Sequence, residues 1–380
     1  MRVRGFAVTA VYLFLLSWVP CAAEEPEIFE GPFSWENPGL ARASEKELLF
    51  NDRNSGGFKS RSFYFTAYFD DGEHLEISVF QWEYSLFGGW GFQVVVADAL
   101  GRSFVLEDRI PDRAVSVAED RFLIRFGDSV LTGSDGRYRV RLELKQFRCD
   151  LSFDSRVPPW SPGDGYARLD SQAGAYIRYG IAAPLAEVRG SLTVSGRTRQ
   201  VAGWGYADRG LIAAPINRMN SPTYAFRGFS PYRKGEPGWL VSLLRYESHP
   251  AFGPVDVPVL LLIEGDRWII ATKMLRFTAT DFVESTGTSV PYPTRMEVYA
   301  EYLVPGGRVC LDGAFVGTSL YHYSDVFEKI PAVFRAIIEV FFQRPIIFRL
   351  VGAFRGTVTF PDGSTRELEL VGHGEYTVVQ

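Results

Sequence analysis

The chain has 380 residues, of which 46% are hydrophobic, 15% aromatic and 22% charged. This length and composition exclude a disordered protein and make two globular domains the default expectation. The formal net charge is −5 at pH 7 and the basic residues form no run, which argues against a nucleic-acid partner.

The N-terminus is typical of an export signal. Arg2 and Arg4 precede the apolar stretch 6–19, which is short for a membrane span, and small residues follow up to Ala23. We therefore predict a signal peptide over residues 1–23, cleavage after Ala23 and a periplasmic mature protein. A retained N-terminal membrane anchor is the alternative.

Cleavage would leave two cysteines, Cys149 and Cys310. An even number of cysteines in an exported chain permits one disulfide. Both lie in strand-like segments that are far apart in sequence, and such pairs seldom meet disulfide geometry by chance. The pattern favours two buried free thiols and leaves a bridge open.

Most of the remaining chain is predicted to be β-strand. Residues 62–69 and 73–82 flank an Asp-Asp-Gly turn and predict a hairpin, and residues 92–106 predict another around Gly101. In Arg137–Lys145, apolar residues alternate with charged ones, the period of two that indicates a half-buried strand. The turn signals recur at short intervals, as in an antiparallel barrel or sandwich.

Two segments of the chain resemble each other. GSLTVSGRTRQVAGWGYAD, from Gly190, and GTVTFPDGSTRELELVGHGEYT, from Gly356, share an ordered series of Gly, Thr, Arg and Tyr positions. Each copy predicts a strand, a tight turn and a second strand that ends in Gly-x-Gly. We therefore predict two related β domains, residues 24–210 and 211–380.

One late segment has helical periodicity instead. Between Asp325 and Pro345, Phe and Ile recur at a spacing of three and four residues, with charged residues between them. Pro331 suits the first turn of a helix. We predict an amphipathic helix that packs on the barrel wall, the alternatives being a lid or a helix that touches lipid.

The motif search excludes several kinds of site. The glycines around Gly203 and Gly205 have the wrong spacing for a dinucleotide loop and lie within strand sequence, and both Walker and Gly-x-Ser-x-Gly motifs are missing. The four histidines are scattered without metal-ligand spacing. We therefore predict no metal and no cofactor. Because the repeat carries the glycine pair twice, we assign Gly203 and Gly205 an architectural role.

Asp208 and Arg209 follow this glycine pair and have no match in the second copy. Because Trp204 and Tyr206 are near in sequence, the Asp208 carboxyl could lie in an apolar cavity, have a raised pKa and protonate an alkene. The alternative is an Asp–Arg surface pair at a domain junction.

At these residues the chain is similar to a known superfamily. GWGYADRG, residues 203–210, resembles the Gly-x-Gly-Tyr-x-Asp-His signature of tandem lipocalin-like proteins. That group includes hydroxyneurosporene synthase (carotenoid 1,2-hydratase) and the fungal survival-factor proteins implicated in ceramide handling. Residues 325–348 resemble a late helical stretch of the survival-factor branch. The resemblance implies an all-β fold of two tandem lipocalin-like antiparallel barrels or sandwiches with one amphipathic helix near the C-terminus.

The resemblance also implies a role for Asp208, because the aspartate of the signature is the expected acid in the hydratase-like members. This chain departs from the signature at Arg209, where the family has His. A guanidinium beside Asp208 would favour its ionised form and lower its pKa, which is the opposite of what a general acid needs.

We therefore favour an exported protein without enzyme activity that binds or carries a hydrophobic ligand, either a lipid or an isoprenoid. Asp208 and Arg209 would hold a polar head group at the mouth of a barrel. The aromatic wall would comprise Trp82, Tyr84, Trp90, Trp204 and Tyr206. Peripheral membrane contact is a further expectation. The alternatives are an isoprenoid or carotenoid hydratase or cyclase with Asp208 as general acid, and a non-catalytic envelope structural or interaction protein.

Overall fold

The computed structural model describes most of the chain after the predicted signal peptide. The described residues are 26–50, 58–84, 87–170, 174–214, 222–248, 255–284, 289–325 and 344–379. The signal peptide predicted over 1–23 lies outside them, as does the predicted helix apart from its ends at Asp325 and Pro345. No helix in the described ranges is long and apolar enough to cross a membrane.

The described part of the chain is almost entirely strand. Its helices are α1 (Pro32–Glu36), α2 (Glu45–Leu48) and the 3-10 turn η1 (Asp112–Ala114). Its strands are β1 (Glu27–Ile28), β2 (Phe58–Phe69), β3 (His74–Tyr84), β4 (Phe87–Ala97), β5 (Ser103–Ile110), β6 (Val115–Val117), β7 (Phe122–Phe126), β8 (Ser129–Ser134), β9 (Arg137–Glu143), β10 (Phe147–Ser155), β11 (Tyr166–Asp170), β12 (Ala175–Val194), β13 (Arg197–Ala214), β14 (Thr223–Phe229), β15 (Trp239–Glu247), β16 (Asp256–Glu264), β17 (Arg267–Thr272), β18 (Leu275–Glu284), β19 (Pro291–Val304), β20 (Gly307–Asp325), β21 (Pro345–Thr359) and β22 (Thr365–Val379).

The strand pattern follows from side-chain alternation. In β9, Tyr138, Val140 and Leu142 are buried while the arginines between them are exposed, as the period of two predicts. The predicted hairpins are also present, since β2 pairs with β3 and β4 with β5, both antiparallel.

The strands form two antiparallel sheets. Sheet 1 has the order β5-β4-β3-β2-β13-β12-β10-β9-β8-β7-β6, with β11 joining β12 and β1 joining β11; sheet 2 has the order β17-β16-β15-β14-β22-β21-β20-β19-β18. One sheet forms a nearly closed barrel and the other a half-barrel. The nine strands of sheet 2 match the first nine strands of the order of sheet 1, so that β17 corresponds to β5 and β18 to β8. The fold is therefore all-β with two tandem lipocalin-like units, as predicted.

The internal sequence repeat corresponds to two equivalent hairpins. β12 turns into β13 at Gly196 (φ +83°), and β21 turns into β22 at Gly363 (φ +81°). The second strand of each hairpin continues beyond its Gly-x-Gly, contrary to the prediction that it ends there. A Cβ at Gly203 would lie 2.0 Å from the Tyr68 carbonyl oxygen, and one at Gly372 would lie 1.8 Å from that of Arg227. These glycines therefore let neighbouring backbones approach closely.

Apolar side chains fill three layers. The concave side of sheet 1 buries Phe63, Phe122 and Val140, and that of sheet 2 buries Phe226 and Phe348. A third layer, between the sheets, is made by residues of both. It includes Tyr68, Trp204, Tyr206, Phe229 and Leu240. We call the surface of sheet 1 that faces sheet 2 its inter-sheet face.

Sheet 1 ends at Ala214 and sheet 2 begins at Thr223. The domain division at 210/211 stays a prediction.

Cys149 and Cys310 are both free thiols. Cys149 is buried, and this burial raises the pKa of its thiol to about 12. Cys310 is half-buried, whereas the sequence predicted two buried thiols.

Replacing the close-approach glycine Gly372 by Ala should destabilise the protein. The new methyl group would overlap the Arg227 carbonyl in the neighbouring strand, and overpacking of this kind costs about 1–3 kcal/mol. Urea unfolding would measure the loss. Gly39→Ala is the control, because a Cβ there meets only the Trp268 ring at 3.6 Å. Equal stability of the two variants would contradict the close-approach role.

Candidate functional site

Asp208 and Arg209 point to opposite sides of sheet 1, because successive side chains of a strand alternate. Asp208 lies on the inter-sheet face, where it meets Arg227 of sheet 2. Arg209 lies on the concave side, over the rings of Phe122 and Tyr138. Asp208 and Arg209 therefore cannot hold one polar head group together, contrary to the prediction.

The Asp208 carboxyl is held from both sheets. Arg227 Nη2 donates a hydrogen bond to its Oδ2 at 2.6 Å, and the Tyr179 hydroxyl donates to the same oxygen at 3.2 Å. The Tyr179 and Tyr206 hydroxyl oxygens are 2.5 Å apart. Asp208 and Arg227 are each 7% exposed. The arrangement is a buried ion pair with a tyrosine pair beside it.

Burial raises the pKa of Asp208 above its ordinary value of 3.8, while Arg227 and the hydrogen bonds from Arg227, Tyr179 and Tyr206 act against this rise. The sequence-based expectation that Arg209 would lower this pKa is wrong, because the neighbouring side chain in sequence lies on the other face. Burial also acts against the charge of Arg227, but Asp208 and the nearby tyrosines outweigh it and raise the pKa of Arg227.

A second buried carboxyl, Glu76, lies on the inter-sheet face of β3. Its Oε2 is 3.4 Å from Arg349 Nε, its Oε1 is 3.4 Å from His74 Nε2, and the Tyr321 hydroxyl donates a hydrogen bond to Oε1. Arg349 also donates to Glu375 at 2.8 Å. Burial opposes ionisation of Glu76, but Arg349, His373 and His74 outweigh it and hold its pKa well below 4.5.

The two carboxyls belong to one network of polar and aromatic groups. The Arg227 guanidinium lies 4.9 Å from the ring centroid of Tyr64. The Tyr64 hydroxyl is 3.1 Å from His373 Nε2, and the His373 ring stacks on His74 with centroids 5.7 Å apart. Burial lowers the pKa of His373 to about 3, so its ring is neutral at pH 7. The environments of Asp208 and Glu76 thus push two carboxyl pKa values in opposite directions, a pattern found in acid–base sites.

Several buried polar atoms of this network have no hydrogen-bond partner within the described residues. Buried polar atoms are nearly always paired, so these atoms depart from the usual pattern, although Glu76 Oε2 and His74 Nε2 keep the 3.4 Å contacts given above. They are both ring nitrogens of His74, Glu76 Oε2, His373 Nδ1, Thr66 Oγ1, Arg227 Nε and Trp204 Nε1.

The structure separates the other residues predicted to bind a ligand. Trp204 and Tyr206 are buried between the sheets near Asp208. Trp90 lies instead in the concave core of sheet 1. Trp82 is half-buried, with the Arg109 guanidinium 5.8 Å from its ring centroid. The side chain of Tyr84 lies outside the described residues.

A surface depression of about 450 Å³ lies at the turn between β8 and β9. It is lined by Arg42, Gly133, Ser134, Asp135 and Arg137. None of the seven residues predicted to bind a ligand lines it. Among the described residues, no group of three or more His, Cys, Asp or Glu side chains is arranged to hold a metal ion.

Sequence reasoning missed Arg227, Tyr179, Glu76, His74 and Arg349. Arg227 carries a usable signal, because it is the lone charge in the strand TYAFRGF, six of whose seven residues are buried. His74 and Glu76 alternate with apolar residues, a pattern that equally describes a strand with one solvent-facing side.

Comparison with known proteins gives information at the level of the fold. No family model and no curated protein sequence matches the chain. Among solved structures, a provisionally assigned AttH from Nitrosomonas europaea has a TM-score of 0.58 and 16% identity, covering 88% of this chain and 96% of its own. CghA has a TM-score of 0.60 and 10% identity, with coverages of 90% and 93%. Kievitone hydratase from Nectria haematococca has a TM-score of 0.51 and 14% identity, with coverages of 93% and 97%.

The chain has the fold of these three structures, two tandem lipocalin-like units. The likeness extends over both sheets, since each of the three structures covers most of this chain. At these identities it fixes the architecture and leaves the chemistry to the residues of the site.

Replacing Glu76 by Gln should destabilise the protein at pH 7 by on the order of 3 kcal/mol, because it removes one partner of a buried charge network. The folded-state pKa of Glu76 is lowered, so its ionic contribution is present above the ordinary value of 4.5 and is lost as the pH falls below it. Urea unfolding from pH 7 to pH 3 should therefore show that the difference in the free energy of unfolding between wild type and variant decreases. Glu83→Gln, on the same strand but exposed, is the control. A gap that does not change with pH would contradict an ionised Glu76.

Proposed function

We propose that the protein is a hydratase that binds an apolar small molecule of the isoprenoid or lipid class between its two sheets, with Asp208 as the proton donor. The observation that carries the proposal is the position of Asp208, a buried carboxyl that Arg227 and Tyr179 hold at the junction of the sheets. Export to the periplasm after cleavage at Ala23 is part of the proposal.

The surroundings of Asp208 suit a general acid. Burial favours its protonated form and raises its pKa above 3.8, which is the direction that a general acid needs. Arg227 and Tyr179 both donate hydrogen bonds to Oδ2, which orients the carboxyl. Once the proton has left, the Arg227 guanidinium stabilises the carboxylate that forms.

In the proposed reaction, Asp208 transfers its proton to one carbon of a C=C bond, and the π electrons form the new C–H bond. Positive charge develops on the other carbon, where the oxygen of a water molecule adds. The proton that this water releases restores Asp208. The rings of Tyr64 and Tyr206 lie 4.9 and 4.7 Å from the Arg227 guanidinium, so they already face positive charge and could stabilise the cation.

Two further points support a hydratase. One solved structure with this fold is named kievitone hydratase. At 14% identity the likeness itself shows only the fold, so the reaction class rests on the residues around Asp208. The aromatic groups around Asp208 favour an apolar molecule, and the unpartnered polar atoms of the inter-sheet face favour one that also carries oxygen.

The second candidate is the carrier without turnover that the sequence favoured. The 2.6 Å contact of Arg227 with Asp208 supports it, because a paired guanidinium favours the carboxylate over the acid. The two candidates share a hydrophobic ligand and differ in whether Asp208 gives up a proton.

Asp208→Asn should reduce turnover at least about 100-fold and leave ligand affinity unchanged, because an amide cannot serve as the acid. Lycopene and squalene are suitable acyclic isoprenoid probes, with mass spectrometry after reaction in ¹⁸O-water and fluorescence quenching for binding. Since the reactive form is protonated and its pKa is raised, the wild-type rate should fall as the pH rises through that pKa. Asp154→Asn, an exposed carboxyl, is the control. Uptake without ¹⁸O incorporation in any variant would favour the carrier, and full turnover by Asp208→Asn would rule out its role as the acid.

Tyr179→Phe should move the pH profile rather than abolish turnover. The Tyr179 hydroxyl stabilises the Asp208 carboxylate and lowers its pKa, so its loss should shift the falling limb of the rate to higher pH. A single hydrogen bond is worth about 1 kcal/mol, which corresponds to about a fivefold change in rate. Tyr299→Phe, whose hydroxyl donates to Glu301 in sheet 2, is the matched control. An unchanged limb would show that Tyr179 does not act through Asp208.

A further inference from the structure

Thr66 is a small, fully buried polar residue at the centre of the inter-sheet face, and the proposed hydratase reaction as described above does not use it. It is 0% exposed. It is paired directly with Tyr206 of β13 and with Glu76 of β3, and Tyr64 and Tyr68 flank it on the same face of β2. All four neighbours have longer side chains than threonine, so the Thr66 hydroxyl lies closer to the backbone of sheet 1 than their polar ends do.

The Thr66 hydroxyl belongs to a group of buried polar atoms without a hydrogen bond. Within the described residues, Thr66 Oγ1 has no hydrogen-bond partner, and neither has Nδ1 of His74 or Nδ1 of His373. Unpaired buried polar atoms are costly, and proteins commonly satisfy them with an internal water molecule that bonds to about three such groups. A hydroxyl and two imidazole nitrogens are partners of the right number and kind.

The two histidines span the position of Thr66. His373 comes from sheet 2, and its Nε2 is 3.1 Å from the Tyr64 hydroxyl on one side of Thr66. His74 comes from sheet 1, and its ring stacks on that of Tyr68 on the other side, with centroids 5.4 Å apart. Because the His74 and His373 rings also stack on each other, the pair covers Thr66 from the side of sheet 2.

The charges around this position favour a small neutral molecule. Glu76, whose pKa is held well below 4.5, would repel an anion. Arg227 lies 4.9 Å from the Tyr64 ring and Arg349 lies 3.4 Å from Glu76, so a cation would meet two guanidinium groups. Water carries no charge and both donates and accepts hydrogen bonds, which suits a hydroxyl beside neutral imidazole nitrogens.

Thr66 is also well placed relative to Asp208. Asp208 is paired directly with Tyr64, two residues from Thr66, so Asp208 and Thr66 are diagonal neighbours on one face of adjacent strands. Such neighbours lie about 7–8 Å apart. This spacing leaves room for the two carbons of a C=C bond, one facing the acid and the other facing a molecule held at Thr66.

We propose that Thr66 Oγ1, His74 Nδ1 and His373 Nδ1 bind the water molecule that adds to the substrate. The inference rests on the proposed hydratase reaction and supplies the site of its second substrate. The three groups hold the water by hydrogen bonds beside the carbon on which positive charge develops. A lone pair of the water oxygen forms the C–O bond, and the proton that the water then releases goes to Asp208, as in the reaction above.

Thr66→Val tests the proposal, because valine has nearly the shape of threonine and lacks the hydroxyl. ¹⁷O relaxation dispersion, which counts long-lived internal waters, should find one fewer than in the wild type, and crystal structures should locate the lost molecule at residue 66. Hydration of lycopene or squalene should show a kcat about tenfold lower at an unchanged KM, as expected for one lost hydrogen bond. Thr66→Ser restores the hydroxyl and should recover both the water and the rate. Thr278→Val, at an exposed threonine of β18, is the matched control.

Two results would overturn this inference: a wild type without an internal water at Thr66, and a Thr66→Val variant that loses the water and keeps its full rate. The inference and the proposed function fail separately. Hydration that persists in Thr66→Val and stops in Asp208→Asn would remove the water site and keep the reaction. A wild type that hydrates neither probe would overturn the reaction and the role of the water with it, whereas the count of internal waters would still show whether the site exists.

Discussion

The ion pair between Asp208 and Arg227 is the interaction on which the arrangement of the two sheets depends. Each partner is buried and each comes from a different sheet, so the pair exists only while the sheets stay together. Removing either partner would leave the other group buried without the contact that satisfies it, which typically costs about 3–5 kcal/mol. The tyrosines and histidines around the pair complete a polar layer inside an apolar interface.

Because side chains alternate along β13, its adjacent residues Asp208 and Arg209 lie on opposite faces of sheet 1 and contact different groups. Asp208 serves the layer between the sheets, whereas Arg209 serves the interior of sheet 1. A single strand therefore contributes charged groups to two separate layers. The same division explains why the charge of Arg209 does not lower the pKa of Asp208, although the two residues are neighbours in sequence.

The sequence predicted the fold well because strand periodicity and the glycine-rich repeat are local signals. The alternation in Arg137–Lys145 marked a half-buried strand, and the repeat marked two equivalent hairpins. The site was harder to predict from the sequence. The period of two shows that Glu76 points away from the apolar face of its strand, but it does not show which sheet covers that side chain. Arg227 meets Asp208 only through the packing of one sheet on the other. Pairing across that interface is a tertiary property that no local pattern encodes.

The matching strand orders have an evolutionary consequence. In this alignment β13 corresponds to β22 and β2 to β14. β13 contacts β14 through Asp208 and Arg227, and β2 contacts β22 through Tyr64 and His373, so the strand pairs, though not the residue pairs, are exchanged between the copies as in an isologous interface. Such a reciprocal pattern is what the fusion of a two-fold symmetric dimer would leave. The two halves differ at the site itself, because the position equivalent to Asp208 holds Thr377 in the second half.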